Sequence, residues 1–426
     1  MALQGLFIIL AVMLTLLFLG VPISYGIGIS SLAAILTCID LDVAVLTAAQ
    51  RTFVGMSKFS LTAIPFFILA GNIMNQGGIA KRLVNFVMAI LGKLPGALLV
   101  TNVGTNALFG AISGSASAAA AAVGSMIRDG AEEAGYDPAL TAATNAASAP
   151  SGLLIPPSNA MITYSLAAGG TSVAALFMAG YLPGLIWALA CAIVGVLLAV
   201  KKGYKGTPGK FSWANLGKAT LDAIPSLSLI VVVIGGIIGG IFSATEGSAI
   251  AVVYSLILAI CYKSVTLKSL WKIIVDSAKT SGMVVFLIGV SNILGWVMAF
   301  MQIPDAVAAA LLGLTDNKYL ILLIAGTFMD VTPAILIFTP LFLPICQGFG
   351  MHPIHFGLIL IYNLCIGNIT PPVGNTLFVG IKVGRTSLAK VMPYMLIYYV
   401  AIIAGLMLVT YIPDVSMILP KLAGLA

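Results

Sequence analysis

Charge is scarce in this sequence. Asp, Glu, Lys and Arg make up 8% of its 426 residues, against ~25% in a soluble globular domain, so most of the chain cannot be clothed in a water-facing surface. Cysteine is sparse as well. Cys38, Cys191, Cys261, Cys346 and Cys365 lie in or beside apolar runs with no CxxC pair; that spacing excludes a zinc ribbon or a dithiol redox centre and leaves inert packing thiols. The only histidines, His352 and His355, precede an apolar span without a third ligand at metal-binding spacing, and read as interfacial residues rather than a zinc site. No GxSxG elbow, HExxH pair or Walker loop occurs, and Gly203–Lys210 lacks the GxxxxGK[ST] spacing, so hydrolase, metalloprotease and nucleotide-driven chemistry are set aside. The N-terminus lacks a basic segment and a small-residue cleavage site, so its first apolar run reads as a retained span.

What is present is apolar: 60% hydrophobic residues and a mean hydropathy of +1.13. This is the composition of an integral membrane protein. The formal net charge of +7 does not mark a nucleic-acid partner, because the basic residues cluster between apolar runs and no basic-aromatic surface is visible. Spans of ~20 apolar residues fall near 3–19, 22–40, 60–77, 138–165, 172–200, 221–242, 245–262, 280–301, 354–381 and 392–411. Two further stretches, 95–127 and 318–347, carry Ser113-Gly114-Ser115 and Asp330-Val331-Thr332-Pro333 at their midpoints. Both read as re-entrant hairpins. With both termini outside, sixteen Lys and Arg residues fall in inner loops, against Arg51, Lys58, Lys318 and Lys421 outside, a strong positive-inside bias.

The chain is also internally duplicated. Gly350, Pro353, Gly367, Pro371, Pro372 and Gly384 stand 215 positions after Gly135, Pro138, Gly152, Pro156, Pro157 and Gly169, and Gly326 stands 216 after Gly110. Each half holds five crossings and one hairpin; five is odd, so the second half is inverted relative to the first. The expected fold is all-α and polytopic, with inverted repeats, two re-entrant hairpins (95–127 and 318–347) and two broken transmembrane helices (138–165 and 354–381). Ile79–Gly92 and Pro304–Gly313 read as interfacial arms, and Lys201–Lys218 as a cytoplasmic linker.

Proline pairs that break a helix in lipid are tolerated where protein, water or ligand meets the freed backbone, and paired breaks mark a transporter's substrate and ion site. Sodium wants oxygen ligands, and unwound backbone supplies them without added charge. One candidate sodium site takes Gly110, Ser113, Ser115, Gly152, Ile155 and Pro157. Its counterpart takes Gly326, Asp330, Thr332, Gly367, Thr370 and Pro372. Small residues that merely allow close helix packing are the competing reading. Between the hairpin tips, half-helix N-termini offer N–H groups and partial positive charge to a carboxylate. Ser115, Ser117, Ser158, Asn159, Asn375 and Thr376 are positioned to add hydrogen bonds there, with local helix capping as their alternative role. Asp330 is an intramembrane acid and thus a functional candidate, whereas Glu246, in SATEGSA, stands close to a span end, where a solvated cap is an equal reading.

The motifs GAISGSASA, SGLLIPPSN, GTFMDVTPAILIFTPLFLPI and GNITPPVGNTLFVG together resemble the large membrane subunit of a tripartite ATP-independent periplasmic (TRAP) transporter, nearest to the sialic-acid branch, although the dicarboxylate branch shares them. The resemblance implies sodium-coupled uptake of an organic acid, best assigned as sialic acid, across a bacterial inner membrane. It implies two partners, a small four-helix membrane subunit and a periplasmic substrate-binding protein, with the small subunit a separate chain because this one starts at its first span. It also implies an elevator mechanism in which residues 1–93 and 221–317 form a scaffold while 94–200 and 318–412 move. A stand-alone sodium:dicarboxylate symporter of related fold is the nearest alternative. An intramembrane enzyme on lipid-linked sugar and a transport-inactive membrane scaffold are more distant ones.

Overall fold

The computed structural model describes residues 2–206, 212–307, 331–371 and 374–425, and every regular element among them is helical. Gly326, Asp330 and Pro372, the first leg of the second hairpin, and the second arm beyond residue 307 lie outside the described residues.

The first half opens with α1 (Ala2–Phe18), α2 (Ile23–Ile35), α3 (Leu41–Met56) and α4 (Ala63–Gln76). A single 3-10 turn, Phe59–Thr62, joins α3 to α4, which bend by 59°. Then come α5 (Ile79–Leu91), α6 (Ala97–Ser113), α7 (Ala116–Glu133), α8 (Pro138–Ser148), α9 (Ser151–Leu154), α10 (Asn159–Ala167) and α11 (Val173–Lys201). The second half has α12 (Trp213–Ile238), α13 (Ala244–Cys261), α14 (Leu267–Phe300), α15 (Val331–Gly348), α16 (Pro353–Gly367), α17 (Asn375–Val383), α18 (Leu388–Tyr411) and α19 (Asp414–Leu422).

Ten crossings were expected; six described helices are long and apolar enough to span a bilayer alone, or seven with the bent α3–α4 pair. The difference is physical. The stretches 138–165 and 354–381 are divided into short pieces, and α2, at 13 residues, reaches roughly 20 Å at ~1.5 Å per residue, less than a ~30 Å hydrocarbon core. Nor is the segment before the span at 60–77 a loop: α3 fills it and packs on α14. The helix α12 begins at Trp213, inside the expected linker, because Ser212 caps it by accepting from the Asn215 N–H at 3.3 Å.

Packing between the halves reveals their relation. The helix α2 lies against α14 while α13 lies against α4; α10 packs on α15 while α17 packs on α7; α8 packs on α18 while α16 packs on α11. Shifting the first member of each couple by 215 to 221 residues gives the second couple, with the partners exchanged. Such exchange is what a two-fold relation between repeats produces, and it makes one core out of both halves.

Two ties hold element ends. Asp137, the N-cap of α8, accepts from Lys202 Nζ at 2.7 Å, Tyr394 Oη at 2.6 Å and the Ala139 N–H at 2.8 Å, joining α8 to the end of α11 and the start of α18. Arg82 on α5 donates to Asp222 at 3.0 Å and lies 3.5 Å from the centre of the Tyr262 ring, linking that arm to α12 and α13. Glu246 resolves as a cap: its carboxylate accepts from the Ser243 N–H at 2.7 Å while Ser243 Oγ accepts from the Glu246 N–H at 3.2 Å, a reciprocal capping box. His352 caps α16. His355 is buried rather than interfacial, with Nδ1 2.7 Å from Ser416 Oγ, because α19 folds back over α16.

Candidate functional site

The hairpin turn is built from three residues. Gly114, at φ +61°, ends α6 in the left-handed region, and Ser115 starts α7 by accepting from the Ala118 N–H at 3.3 Å. Ser113 Oγ donates to the Ser115 carbonyl at 3.4 Å, and the Ser115 and Ser117 hydroxyls lie 3.4 Å apart. The first broken helix meets this turn. Its break runs from Ile155 to Ser158 between α9 and α10, and Asn159 Nδ2 donates to the Gly114 carbonyl at 3.4 Å. Behind the turn the two elements touch backbone to backbone: a Cβ built on Gly110 would stand 2.5 Å from Gly152 Cα.

Around this junction lies a cavity of about 360 Å³. The hairpin contributes Ser113, Gly114, Ser115, Ala116, Ser117 and Ala118; the first break contributes Leu153, Asn159, Ala160 and Thr163. Asn72 of α4 and Thr280 of α14 close one side, and Val331, Thr332 and Asn368 bring in the second repeat. None of these described lining residues is charged. Positive potential comes from backbone instead, because the first turns of α7 and α10 both line the cavity and helix N-termini present unpaired N–H groups with a partial positive charge. Asn159 Oδ1 is buried without a hydrogen-bond partner among the described residues.

Of the first sodium set, Ser113 and Ser115 line the cavity and Gly110 and Gly152 form the close contact behind it. Ile155 packs on Gly184, where an added Cβ would stand 2.4 Å from its side chain, and Pro157 lines a small apolar crevice with Phe67, Ile112 and Leu229. Of the second set, Thr332 lines the cavity. The Gly367 carbonyl accepts from the Thr370 N–H at 3.1 Å, and Thr370 Oγ1 donates to the Ile366 carbonyl at 2.7 Å, both tying the start of the second break to the end of α16. Of the substrate set, Ser115, Ser117 and Asn159 line the cavity. Ser158 is fully buried and turned inward, donating to the Leu153 carbonyl and capping α10 through the Met161 N–H. Asn375 is exposed away from the cavity, and Thr376 is fully buried with Oγ1 unpartnered among the described residues and its N–H on the Asn368 carbonyl at 3.1 Å. Asn72, Thr163, Thr280 and Asn368 were not foreseen. Only Asn368 had a usable signal, its place at the start of the second break.

Comparison with known proteins bears on what such a cavity serves. YgiK of Salmonella typhimurium is 49% identical over 96% of this chain and 95% of its own length. The isethionate TRAP transporter permease protein DctMQ of Oleidesulfovibrio alaskensis is 38% identical over 94% of this chain and 64% of its own. The C4-dicarboxylate TRAP transporter large permease protein DctM of Rhodobacter capsulatus is 37% identical (98% and 99%), and the sialic acid TRAP transporter large permease protein SiaM of Vibrio cholerae 33% (96% and 97%). In fold, the chain is similar to the YdaH transporter of Alcanivorax borkumensis, with a TM-score of 0.63 at 15% identity, covering 91% of this chain and 90% of that one. The family described as "Tripartite ATP-independent periplasmic transporter, DctM component" matches residues 10–415, and this chain, a multi-pass membrane permease and not an enzyme, belongs to it.

Proposed function

We propose that this chain is the permease through which a small organic acid enters the cell down a sodium gradient, with the serine-lined cavity as the place where the acid is carried. The observation that carries this reading is the convergence of two helix N-termini and two serine hydroxyls of the turn on one cavity where the two repeats meet, with no charged side chain among its described lining residues. Backbone N–H groups and hydroxyls bind a carboxylate or sulfonate without a lysine or arginine inside the membrane. Sodium takes oxygens at the two breaks, from Gly110, Ser113, Ser115, Gly152, Ile155 and Pro157 on one side. On the other, Gly326, Asp330, Thr332, Gly367, Thr370 and Pro372 supply them. The buried Thr376 Oγ1 beside the second break, without a hydrogen-bond partner among the described residues, supports an ion nearby, since an orphaned buried acceptor is costly.

In the same reading, residues 1–93 and 221–317 stay fixed while the hairpins and broken helices travel with their cargo. A small membrane subunit and a periplasmic binding protein complete the system, as family membership implies. Sialic acid is the acid the sequence motifs favour. Relatives named for isethionate, C4-dicarboxylate and sialic acid lie at similar identity, so the three serve as arms of one test.

That test is uptake into proteoliposomes holding this chain, its small subunit and the binding protein. N-acetylneuraminate, succinate and isethionate are each offered with an inward sodium gradient and with choline in its place. One acid should accumulate, only with sodium and only with all partners present. Sodium-driven uptake by this chain alone would make it a stand-alone symporter, and sodium-independent accumulation would remove the coupling. Ser113→Ala, Thr370→Ala and Asp330→Asn should each weaken sodium dependence; unchanged dependence in all three would refute the ion-site assignment.

A further inference from the structure

A second cavity, also about 360 Å³, lies further along the same seam. It is lined by Arg51 and Lys58, by Ser291, Asn292, Gly295 and Trp296 of α14, and by residues of α10 and α15. The Arg51 guanidinium sits 5.6 Å from the Trp296 ring centre. Arg51 and Lys58 are exposed, and among the described residues neither makes an ion pair and no acidic residue lines the cavity.

The two cavities share three helix faces. On α14, Thr280 and Val284 line the serine cavity and Ile288, Ser291, Asn292, Gly295 and Ala299 line the other, one continuous stripe of three- and four-residue steps. On α10, Asn159 and Thr163 give way to Leu166 and Ala167; on α15, Thr332 gives way to Leu336 and Pro340. From Thr280 to Ser291 the rise is roughly 17 Å at ~1.5 Å per residue. The Arg51 cavity lies away from the α14 end that carries Lys268, Lys272 and Lys279, the end the positive-inside rule assigns to the cytoplasm.

The geometry points to a second anion site: an outer vestibule in which Arg51 and Lys58 hold the carboxylate or sulfonate of an arriving acid before it passes along the α14 stripe to the serine cavity. This rests on the transport reading for its role, though not for its chemistry. Two cations without an ion pair among the described residues, in a recess with low-dielectric walls, concentrate anions locally, and the arginine resting on an aromatic face keeps its N–H edge available to an anion.

Gly295→Cys places a probe in the vestibule, since a Cβ there meets only Pro340 at 3.9 Å. In the purified permease complex, its modification rates by the anionic sulfonatoethyl and cationic trimethylammonioethyl methanethiosulfonates are compared, with the chain lacking this substitution as background. The anionic reagent should be favoured beyond its preference for a free thiol, and Arg51→Gln and Lys58→Gln should each lower that preference roughly tenfold, while Arg51→Lys keeps it. Succinate or isethionate should slow the anionic reagent in zwitterionic lipid. In uptake, Arg51→Gln should raise KM and leave the saturating rate unchanged. A rate ratio equal to that of a free thiol, or one indifferent to both charges, overturns the site. Protection seen only with phosphatidylglycerol assigns the cations to lipid headgroups and overturns it equally. Because the labelling involves no transport, absence of uptake for all three acids would sink the proposed function and leave this readout standing.

Discussion

Gly110 and Gly152 decide how closely the hairpin approaches the first broken helix. A methyl on Gly152 would lie 2.1 Å from Gly110 Cα, and backbone cannot step aside as a flexible side chain can. Gly152→Ala should therefore destabilise the permease by about 1–3 kcal/mol, read as a lower thermal midpoint in detergent. Asn159→Asp asks a different question, because the two side chains are nearly the same shape. It sets a negative charge among the N-termini proposed to cradle the acid, and like charges at this range in a partly buried site cost about 2–3 kcal/mol. KM for the acid should rise at least ~tenfold with the thermal midpoint little changed; an unchanged KM would place the acid elsewhere. These residues were legible in the sequence because serine, glycine and asparagine are conspicuous inside an apolar run and recur with a proline pair. Asn72 and Thr280 were not, since a lone polar residue on a long apolar helix looks the same whether it faces a cavity or a neighbour. Asn72 in fact does both, lining the cavity while donating to Ser277 at 2.8 Å.

At the scale of elements, the Asp137 tie has a pH signature. Burial alone pushes its carboxyl up, but hydrogen bonds from Lys202, Tyr394 and the Ala139 N–H, together with the lysine's charge, outweigh that and hold it at about 2. Since the folded value lies below the unfolded 3.8, the stabilisation is complete above pH ~4 and is lost as pH falls through ~2. With 28% of the side chain exposed, solvent screening leaves about 1 kcal/mol. Unfolding followed from pH 7 down to pH 2 should show a decline below pH ~4 that Asp137→Asn flattens, with the variant already less stable at pH 7; parallel pH curves would remove the tie from the account. Nothing in the sequence marks Asp137 for this role, because its partners Lys202 and Tyr394 lie 65 and 257 residues away. Element type was easier to read than element length. The breaks after Leu154 and Gly367 fall where the proline pairs placed them, but α3 was missed because Asp40, Asp42 and Arg51 gave its amphipathic face the look of a loop.

At the scale of the molecule, the 215-residue recurrence foretold what the exchanged packing displays, since only a duplicated unit makes α10 on α15 and α17 on α7 images of one contact. It could not say which surfaces slide. Gly71 on α4 offers a way to find out, because it faces the hairpin turn across the line between the proposed scaffold and the proposed moving unit. A Cβ there would stand 2.8 Å from the Ser113 carbonyl oxygen and 3.2 Å from Ser113 Cα. If α4 and the hairpin form a permanent contact, Gly71→Ala overpacks a fixed interface and should cost about 1–3 kcal/mol of stability. If the hairpin travels past α4, the methyl burdens only one arrangement, and the protein relaxes towards others at little cost in stability. The elevator reading therefore expects Gly71→Ala to slow sodium-driven uptake several-fold while shifting the thermal midpoint by no more than a degree or two. It also expects Ser117→Cys labelling from the two sides of the membrane to change in ratio, since this arrangement becomes less populated. A large drop in thermal midpoint with an unchanged labelling ratio would show that α4 and the hairpin move as one body, and the boundary between scaffold and carrier would have to be drawn elsewhere.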